Sequence, residues 1–80
     1  MEFKKDRVLI ASDVSGDRDG IGVEIYRDDE LVIHIFRDDT KRTRTISVYK
    51  EDISLELMQD SIAIFKDKIP WDFIDYTNFS

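Results

Sequence analysis

The sequence has no cysteine among its 80 residues and no long apolar run. Small secreted domains commonly depend on disulfides, so the absence of cysteine favours a cytoplasmic protein. No segment approaches the roughly 20 apolar residues that a membrane-spanning helix requires. The charged first seven residues are followed only by the short apolar run 8–11, so we expect no signal peptide. The length predicts a single domain, 1–80, with a thin core.

The sequence also lacks the residue patterns that indicate catalysis. No nucleophile elbow, zinc-protease helix, P-loop or Rossmann glycine pattern occurs. The only histidine, His34, cannot form a zinc site without further histidine or cysteine ligands. We interpret it as a sheet residue paired with Glu24 across a hairpin, rather than as a general base. We therefore expect no enzyme activity and no cofactor.

One short segment resembles the start of a calcium loop. Ser15, Asp17 and Asp19 precede Gly20 with the spacing of the first ligands of an EF-hand. The twelfth position of an EF-hand carries glutamate, and here it is Tyr26. The segment 13–20 is therefore predicted to be a loop rich in aspartate and glycine, with no metal site of EF-hand type. A looser calcium site in this loop stays open.

The negative charge is concentrated in the C-terminal part of the chain. Residues 1–50 hold 10 basic and 11 acidic residues, whereas residues 51–80 hold 2 basic and 7 acidic ones. The net charge is −6. Nucleic-acid binders gain affinity by neutralising phosphates with lysine and arginine, so the overall sign is unfavourable for that role. It is favourable for association with a basic protein.

Alternating apolar residues and β-branched residues predict four strands. The predicted strands span about 7–12, 21–27, 31–37 and 43–49. The first strand is an uninterrupted apolar run, so we expect it to be central in the sheet.

Two similar segments, 24–29 and 34–39, end in the same tripeptide, Arg-Asp-Asp. Aspartate forms turns readily because its side chain accepts hydrogen bonds from nearby backbone N–H groups. We therefore interpret the two tripeptides as successive hairpin corners rather than as a functional repeat. Loops at 28–30 and 39–42 set a register that gives one uniformly aliphatic face, made of Val23, Ile25, Ile33, Ile35, Ile46 and Val48.

A helix over about 54–69 is predicted to cover this face. Its apolar residues, with 3-4-3-4 spacing, are Leu55, Met58, Ile62, Phe65 and Ile69. Asp52 or Ser54 can cap its start, and Pro70 follows its end. The tail 70–80 is too apolar to be fully exposed, so we expect Trp71, Phe73 or Ile74 to fold back onto the helix or a sheet edge. The fold class is α+β, a four-stranded antiparallel meander followed by one helix.

The order ββββα, with "ISLELMQDSI" opening the helix, is similar to the transcriptional-coactivator fold. That resemblance implies binding of single-stranded DNA on a curved sheet. The basic corner formed by Arg37, Lys41, Arg42 and Arg44 would contribute to such binding. Single-stranded nucleic-acid binding is therefore the alternative function.

Two surfaces are predicted to bind a partner. One is the face of the sheet away from the helix, with the aromatic residues Tyr26, Phe36 and Tyr49 among Glu24, Val32, His34, Thr45 and Ser47. The other is an acidic stripe on the outer side of the helix, which continues into the tail. Its residues are Glu56, Asp60, Asp67, Trp71, Asp72 and Asp75, and the Asp28–Asp29 corner is a further acidic candidate.

A short, acidic chain without cysteine or a catalytic motif resembles bacterial immunity proteins, antitoxins and related toxin inhibitors. The resemblance implies a non-enzymatic protein that binds a basic partner, such as a toxin nuclease, and neutralises it. An exposed strand edge and an open aromatic face also favour a homodimer.

Overall fold

The computed structural model describes residues 7–15 and 18–74. Four antiparallel strands form one sheet in chain order, and a single helix follows them. The elements are β1 (Arg7–Ser15), β2 (Arg18–Arg27), β3 (Glu30–Asp38), β4 (Thr43–Val48) and α1 (Leu55–Lys68). The predicted ββββα architecture is confirmed.

The register between β2 and β3 is the predicted one, but the turn is shorter than predicted. Ile25 lies opposite Ile33, as expected. The turn contains only Asp28 and Asp29, which have φ angles of 53° and 65°. Aspartate tolerates this left-handed conformation better than most residues, and two-residue hairpin turns need it. A register shift at Ile25/Tyr26 compensates for the missing loop residue.

This bulge moves Val32 to the other side of the sheet from the one predicted. Tyr26 pairs with Leu31, and Ile25 pairs with Ile33, so Val32 is the extra residue. Its side chain is 2% exposed and belongs to the core beneath the helix. The prediction that Val32 lies on the open face is therefore wrong.

The corner between β3 and β4 has the predicted length and register. The strands end at Asp38 and resume at Thr43, and Ile35 lies opposite Ile46.

The first hairpin differs from the prediction of a loop over 13–20. β1 continues to Ser15 and β2 begins at Arg18, so most of that segment is strand. β1 pairs only with β2 in the described part of the chain and is an edge strand, not a central one. Pairing between the strands stabilises the extended conformation of these residues, although aspartate and glycine favour turns.

The helix α1 begins after Ser54, whose Oγ accepts a hydrogen bond from Leu57 N at 3.0 Å. It ends at Lys68, and the next residue, Ile69, is extended because Pro70 follows. Ser61 and Phe65 are buried against the sheet, whereas Leu55, predicted to face the core, is 67% exposed. Across the described residues, no helix is both long and apolar enough to cross a membrane.

The helix covers the middle of the sheet and leaves both edges open. It packs against β2 and β3, whose buried residues Val23, Ile25, Ile33 and Ile35 form the core with Phe65 and Ile69. Two residues of the predicted aliphatic face, Ile46 and Val48 on β4, are 46% and 44% exposed. One helix is too narrow to cover four strands, which lie about 4.8 Å apart.

Candidate partner-binding surface

Three carboxylates line one side of α1, and we call Glu56, Asp60 and Asp67 the acidic flank. All three residues are exposed, as is Ala63 between them. The helix repeats every 3.6 residues, so these positions share one side. Asp67 has a cation nearby, Lys68, whose Nζ lies 3.9 Å from Asp67 Oδ2. An exposed pair at that distance neutralises little of the local negative charge.

The acidic flank lies on the side of α1 that is directed away from β4. Ile62 and Lys66, on the opposite flank, line a cleft with Ile46 of β4. Each residue turns the helix by about 100°, so Asp60 and Asp67 lie on the other side of the buried Ser61–Phe65 line. The carboxylates are therefore directed toward the β1 and β2 side of the molecule.

Trp71 lies on the other side of the helix from the acidic flank. Its ring meets Phe65 edge-on, with centroids 6.4 Å apart, and Lys66 Nζ lies 5.8 Å from its centroid. The ring is held at β4, because the Arg44 guanidinium lies 3.9 Å above it. Trp71 is 50% exposed. The predicted stripe is thus divided into an acidic flank and a separate aromatic end.

The remaining members of the predicted stripe follow Trp71. Asp72 is exposed, and Asp75 lies outside the described residues. Asp28 and Asp29, at the far hairpin corner, are also exposed. Asp29 Oδ1 lies 3.5 Å from Arg7 Nη2, so that corner already contains an exposed ion pair.

A cleft of about 200 Å³ separates α1 from β4. Its walls are mainly apolar, and its rim carries the cations Arg44 and Lys66. The lining residues are Ile35, Arg44, Ile46, Ile62, Phe65, Lys66 and Trp71. This side of the helix therefore has the opposite charge from the acidic flank.

The basic corner predicted at 37–44 is partly internal. Arg37 is 3% exposed and lies on the helix side of the sheet. Its Nη2 donates to Asp39 Oδ2 at 3.1 Å, and its Nη1 donates to the carbonyl of Pro70 at 2.7 Å. Its Nε lies 2.9 Å from Asp39 Oδ1 without a well-directed hydrogen bond, so this contact is ionic only. Asp39 Oδ1 also accepts from Ile74 N at 3.1 Å.

The buried pair Arg37–Asp39 thus holds the segment 70–74 at the end of the sheet, through hydrogen bonds with the backbone of Pro70 and Ile74. Sequence reasoning missed this role because arginine and aspartate are usually exposed. The available signal was alternation, because Arg37 lies two residues after Ile35 and must share its side of β3.

Arg44 is the second arginine used by this segment. Its Nε and Nη2 both donate to the carbonyl oxygen of Trp71, at 3.1 and 2.7 Å. Its guanidinium also lies 4.2 Å from the centroid of Phe73. These contacts restrict Arg44. Arg42 also contacts this segment, because its guanidinium lies 5.9 Å from the centroid of Phe73, but Lys41 and Arg42 are both exposed at the turn.

The turn itself is organised by Asp38, which is 5% exposed. Its Oδ1 accepts hydrogen bonds from the backbone N atoms of Thr40 and Lys41, at 3.0 and 3.1 Å. Arg42, the last residue of the turn, has a positive φ of 57°.

The open face of the sheet is less accessible than predicted. The Tyr26 hydroxyl donates to Glu24 Oε1 at 3.2 Å. Partial burial, and then this bond and the Glu24 charge, raise the pKa of Tyr26 above its ordinary value. Tyr49 is 55% exposed and available for contact.

Phe36 lies on this face but is only 2% exposed. Opposite it is Gly22, where an added Cβ would collide with the carbonyl of Ile35. An added Cβ at Gly20 would likewise collide with the carbonyl of Arg37. The ring of Phe36 also lies 5.6 Å from that of His34. Phe36 is therefore a structural residue, and a partner cannot reach it without a rearrangement.

Among the described residues, no group of three or more histidine, aspartate or glutamate side chains could hold a metal ion. Asp17, one of the three residues of the EF-hand-like segment, lies outside the described part.

The chain matches no protein-family model, no curated protein and no solved structure. The similarity to the transcriptional-coactivator fold therefore rests on the order of the strands and the helix alone. The function has to be inferred from the surfaces described above.

Proposed function

We propose that this chain is a non-enzymatic cytoplasmic protein that binds a basic protein partner, in the manner of a small inhibitor or immunity protein that neutralises a toxin. The acidic flank of α1 carries the proposal. Its three carboxylates are exposed on one side of a helix that is packed on a sheet. A rigid array of like charges is well suited to a basic cleft, such as that of a nuclease.

The main contribution of the acidic flank is expected in the rate of association. Exposed charges of one sign attract a partner of opposite sign over a distance comparable with the Debye length, about 8–10 Å at physiological salt. They steer the encounter and set the orientation, whereas a single exposed pair contributes little to affinity. We therefore expect fast association at low salt and slower association at high salt.

Trp71 is proposed as an anchor at the edge of the same interface. It is half exposed at the C-terminal end of α1 and is held in place by Arg44. Large aromatic side chains that are already ordered lose little conformational entropy on binding. Because Trp71 and the acidic flank lie on different sides of α1, a partner must reach around the end of the helix to contact both.

The test is an affinity capture from the native host, with the chain as bait and with matched variants. Asp60→Asn and Ser47→Lys each make the net charge more positive by one unit at an exposed position. Only Asp60 belongs to the acidic flank, whereas Ser47 lies opposite His34 on the face of the sheet away from α1. We expect one basic protein to be retained by the wild type and by Ser47→Lys, but less by Asp60→Asn and at high salt. Equal retention by all three baits at every salt concentration would refute the proposal.

The alternative function is binding of single-stranded nucleic acid, which the exposed Lys41 and Arg42 would favour. Arg37 and Arg44 are unsuitable for a test because their removal would disturb the segment 70–74. A titration of labelled single-stranded DNA should therefore use the double variant Lys41→Ala/Arg42→Ala. Salt-sensitive binding at micromolar strength that this variant loses, with no protein captured, would replace the proposal by the alternative.

A further inference from the structure

Among residues 7–15 and 18–74, nothing gives the edge strand β1 the usual protection. Residues 8–12 carry no charge and no proline, and Leu9 and Ile10 are 42% and 52% exposed. Val14, farther along the strand, is 75% exposed. Apolar side chains therefore emerge on both sides of a nine-residue edge.

Such edges readily pair with another strand. Monomeric proteins usually shield an edge with charged residues, proline, a bulge or a covering element. The helix does not cover β1, because it packs on β2 and β3. No register shift interrupts the pairing of β1 with β2, which runs from Arg7↔Tyr26 to Ser15↔Arg18. The strand is thus regular along its whole length.

We propose that two copies of this chain pair through β1, antiparallel and about a two-fold axis at Ile10. The two four-stranded sheets then form one continuous sheet of eight strands. Because the axis is perpendicular to the sheet, both copies of α1 lie on the same side. This proposal rests on β1 and does not depend on the basic partner proposed above.

The symmetry allows only a few registers. Residues opposite each other in an antiparallel pair share one side of the sheet. The two-fold axis between the strands must therefore place one residue, the central one, directly opposite its own copy. Three positions pair most of the strand: an axis at Ala11 pairs all nine residues, 7–15, whereas an axis at Ile10 or Ser12 pairs 7–13 or 9–15.

The charges select Ile10. With the axis there, Arg7 lies opposite Asp13 of the second copy, and this occurs twice in the dimer. Leu9 then lies opposite Ala11, and Val8 opposite Ser12. With the axis at Ala11 or at Ser12, the carboxylate of Asp13 would instead lie opposite an apolar residue, Leu9 or Ala11 respectively. Pairs of opposite charge across strands are favourable, so the Ile10 register has the better complementarity.

The first test uses the absence of cysteine from the natural sequence. In the Ile10→Cys variant the two thiols lie in directly opposed residues, with Cα atoms about 4.5–5.5 Å apart. This distance suits a disulfide. In the control Val14→Cys the two thiols are separated by eight residues along the strand, or about 27 Å. We expect mild oxidation to cross-link Ile10→Cys rapidly and Val14→Cys little.

The second test measures the mass of the unmodified chain and of charge variants by analytical ultracentrifugation. We expect a species of twice the 9.4 kDa chain mass at micromolar concentration. Asp13→Arg places two arginines opposite each other and should raise the dissociation constant about tenfold or more. The exchange Arg7→Asp/Asp13→Arg restores opposite pairs and should recover the dimer.

A monomer at all concentrations would overturn the proposal, as would a dimer that the Asp13→Arg variant leaves unchanged. Equal cross-linking of both cysteine variants would exclude the Ile10 register. If the amides of β1 became protected from hydrogen exchange only when a basic protein was added, the edge would belong to that partner.

Discussion

The two Arg-Asp-Asp corners have the same sequence but different structures. At the first corner Asp28 and Asp29 are exposed and adopt positive φ angles in a two-residue turn. At the second corner Asp38 and Asp39 are 5% and 6% exposed, and Arg37 is 3% exposed. A tripeptide repeated ten residues apart therefore forms an exposed turn once and a buried ionic cluster once.

The difference comes from what covers each corner. Both arginines occupy the same side of the sheet as the helix, since Arg27 follows Ile25 and Arg37 follows Ile35 by two residues. Arg37 is covered by the segment 70–74, which supplies the carbonyl of Pro70. Arg27 lines an open cleft of about 310 Å³ near the start of α1. The role of a charged residue thus depends on which distant segment reaches it.

The largest change in the free energy of unfolding is expected when the arginine of the second corner is removed, and the arginine of the first corner is its control. Arg37→Ala leaves Asp39 buried without its ionic partner and should lower the free energy of unfolding by about 3–5 kcal/mol. Arg27→Ala should change it by less than about 1 kcal/mol, because this side chain is only half-buried. Urea unfolding with a comparison of midpoints and slopes measures both. Similar losses in the two variants would mean that the corners are equivalent.

A smaller effect is expected at Asp38. Asp38→Ala removes the acceptor for two backbone N–H groups at the turn and should cost about 1–2 kcal/mol. Asp38→Asn keeps an acceptor oxygen and should stay within about 0.5 kcal/mol of the wild type. Thermal unfolding of the two variants distinguishes the lost hydrogen bonds from the lost charge. If both variants lost the same stability, the charge and not the hydrogen bonds would be responsible.

The smallest effect, and one of opposite sign, is expected at the first corner. Asp28 has a φ of 53°, a region that glycine occupies without strain. Asp28→Gly should therefore raise the free energy of unfolding by about 0.5 kcal/mol, in spite of the greater freedom of the unfolded chain. Chemical denaturation with replicate curves can resolve this change. A loss of more than about 1 kcal/mol would show that the aspartate side chain stabilises the turn.

The sequence was sufficient to predict the order of elements and the pairing of β2, β3 and β4. Alternation determines which residues share a side, and Ile35 opposite Ile46 follows from a four-residue corner. The extent of β1 was not predictable in this way. Asp13, Asp19 and Gly20 have the composition of a loop, and only pairing with neighbouring strands makes them extended.

The candidate site was predicted less completely than the fold. Helical spacing was enough to place Asp60 and Asp67 on one flank, because it depends only on local geometry. The position of Trp71 depends on its contact with Arg44, 27 residues away in the sequence. Spacing rules for neighbouring residues cannot predict such a contact. The burial of Phe36 likewise depends on the glycine opposite it in β2.

The central claim is that the acidic flank of α1, and not the net charge of the chain, binds a basic partner. The most direct measurement compares Asp60→Asn with Ser47→Lys in binding the captured basic protein at low salt. We predict that Asp60→Asn weakens binding about fivefold, which corresponds to about 1 kcal/mol, and that Ser47→Lys has almost no effect. Equal weakening by both variants would show that only net charge matters and would contradict the claim.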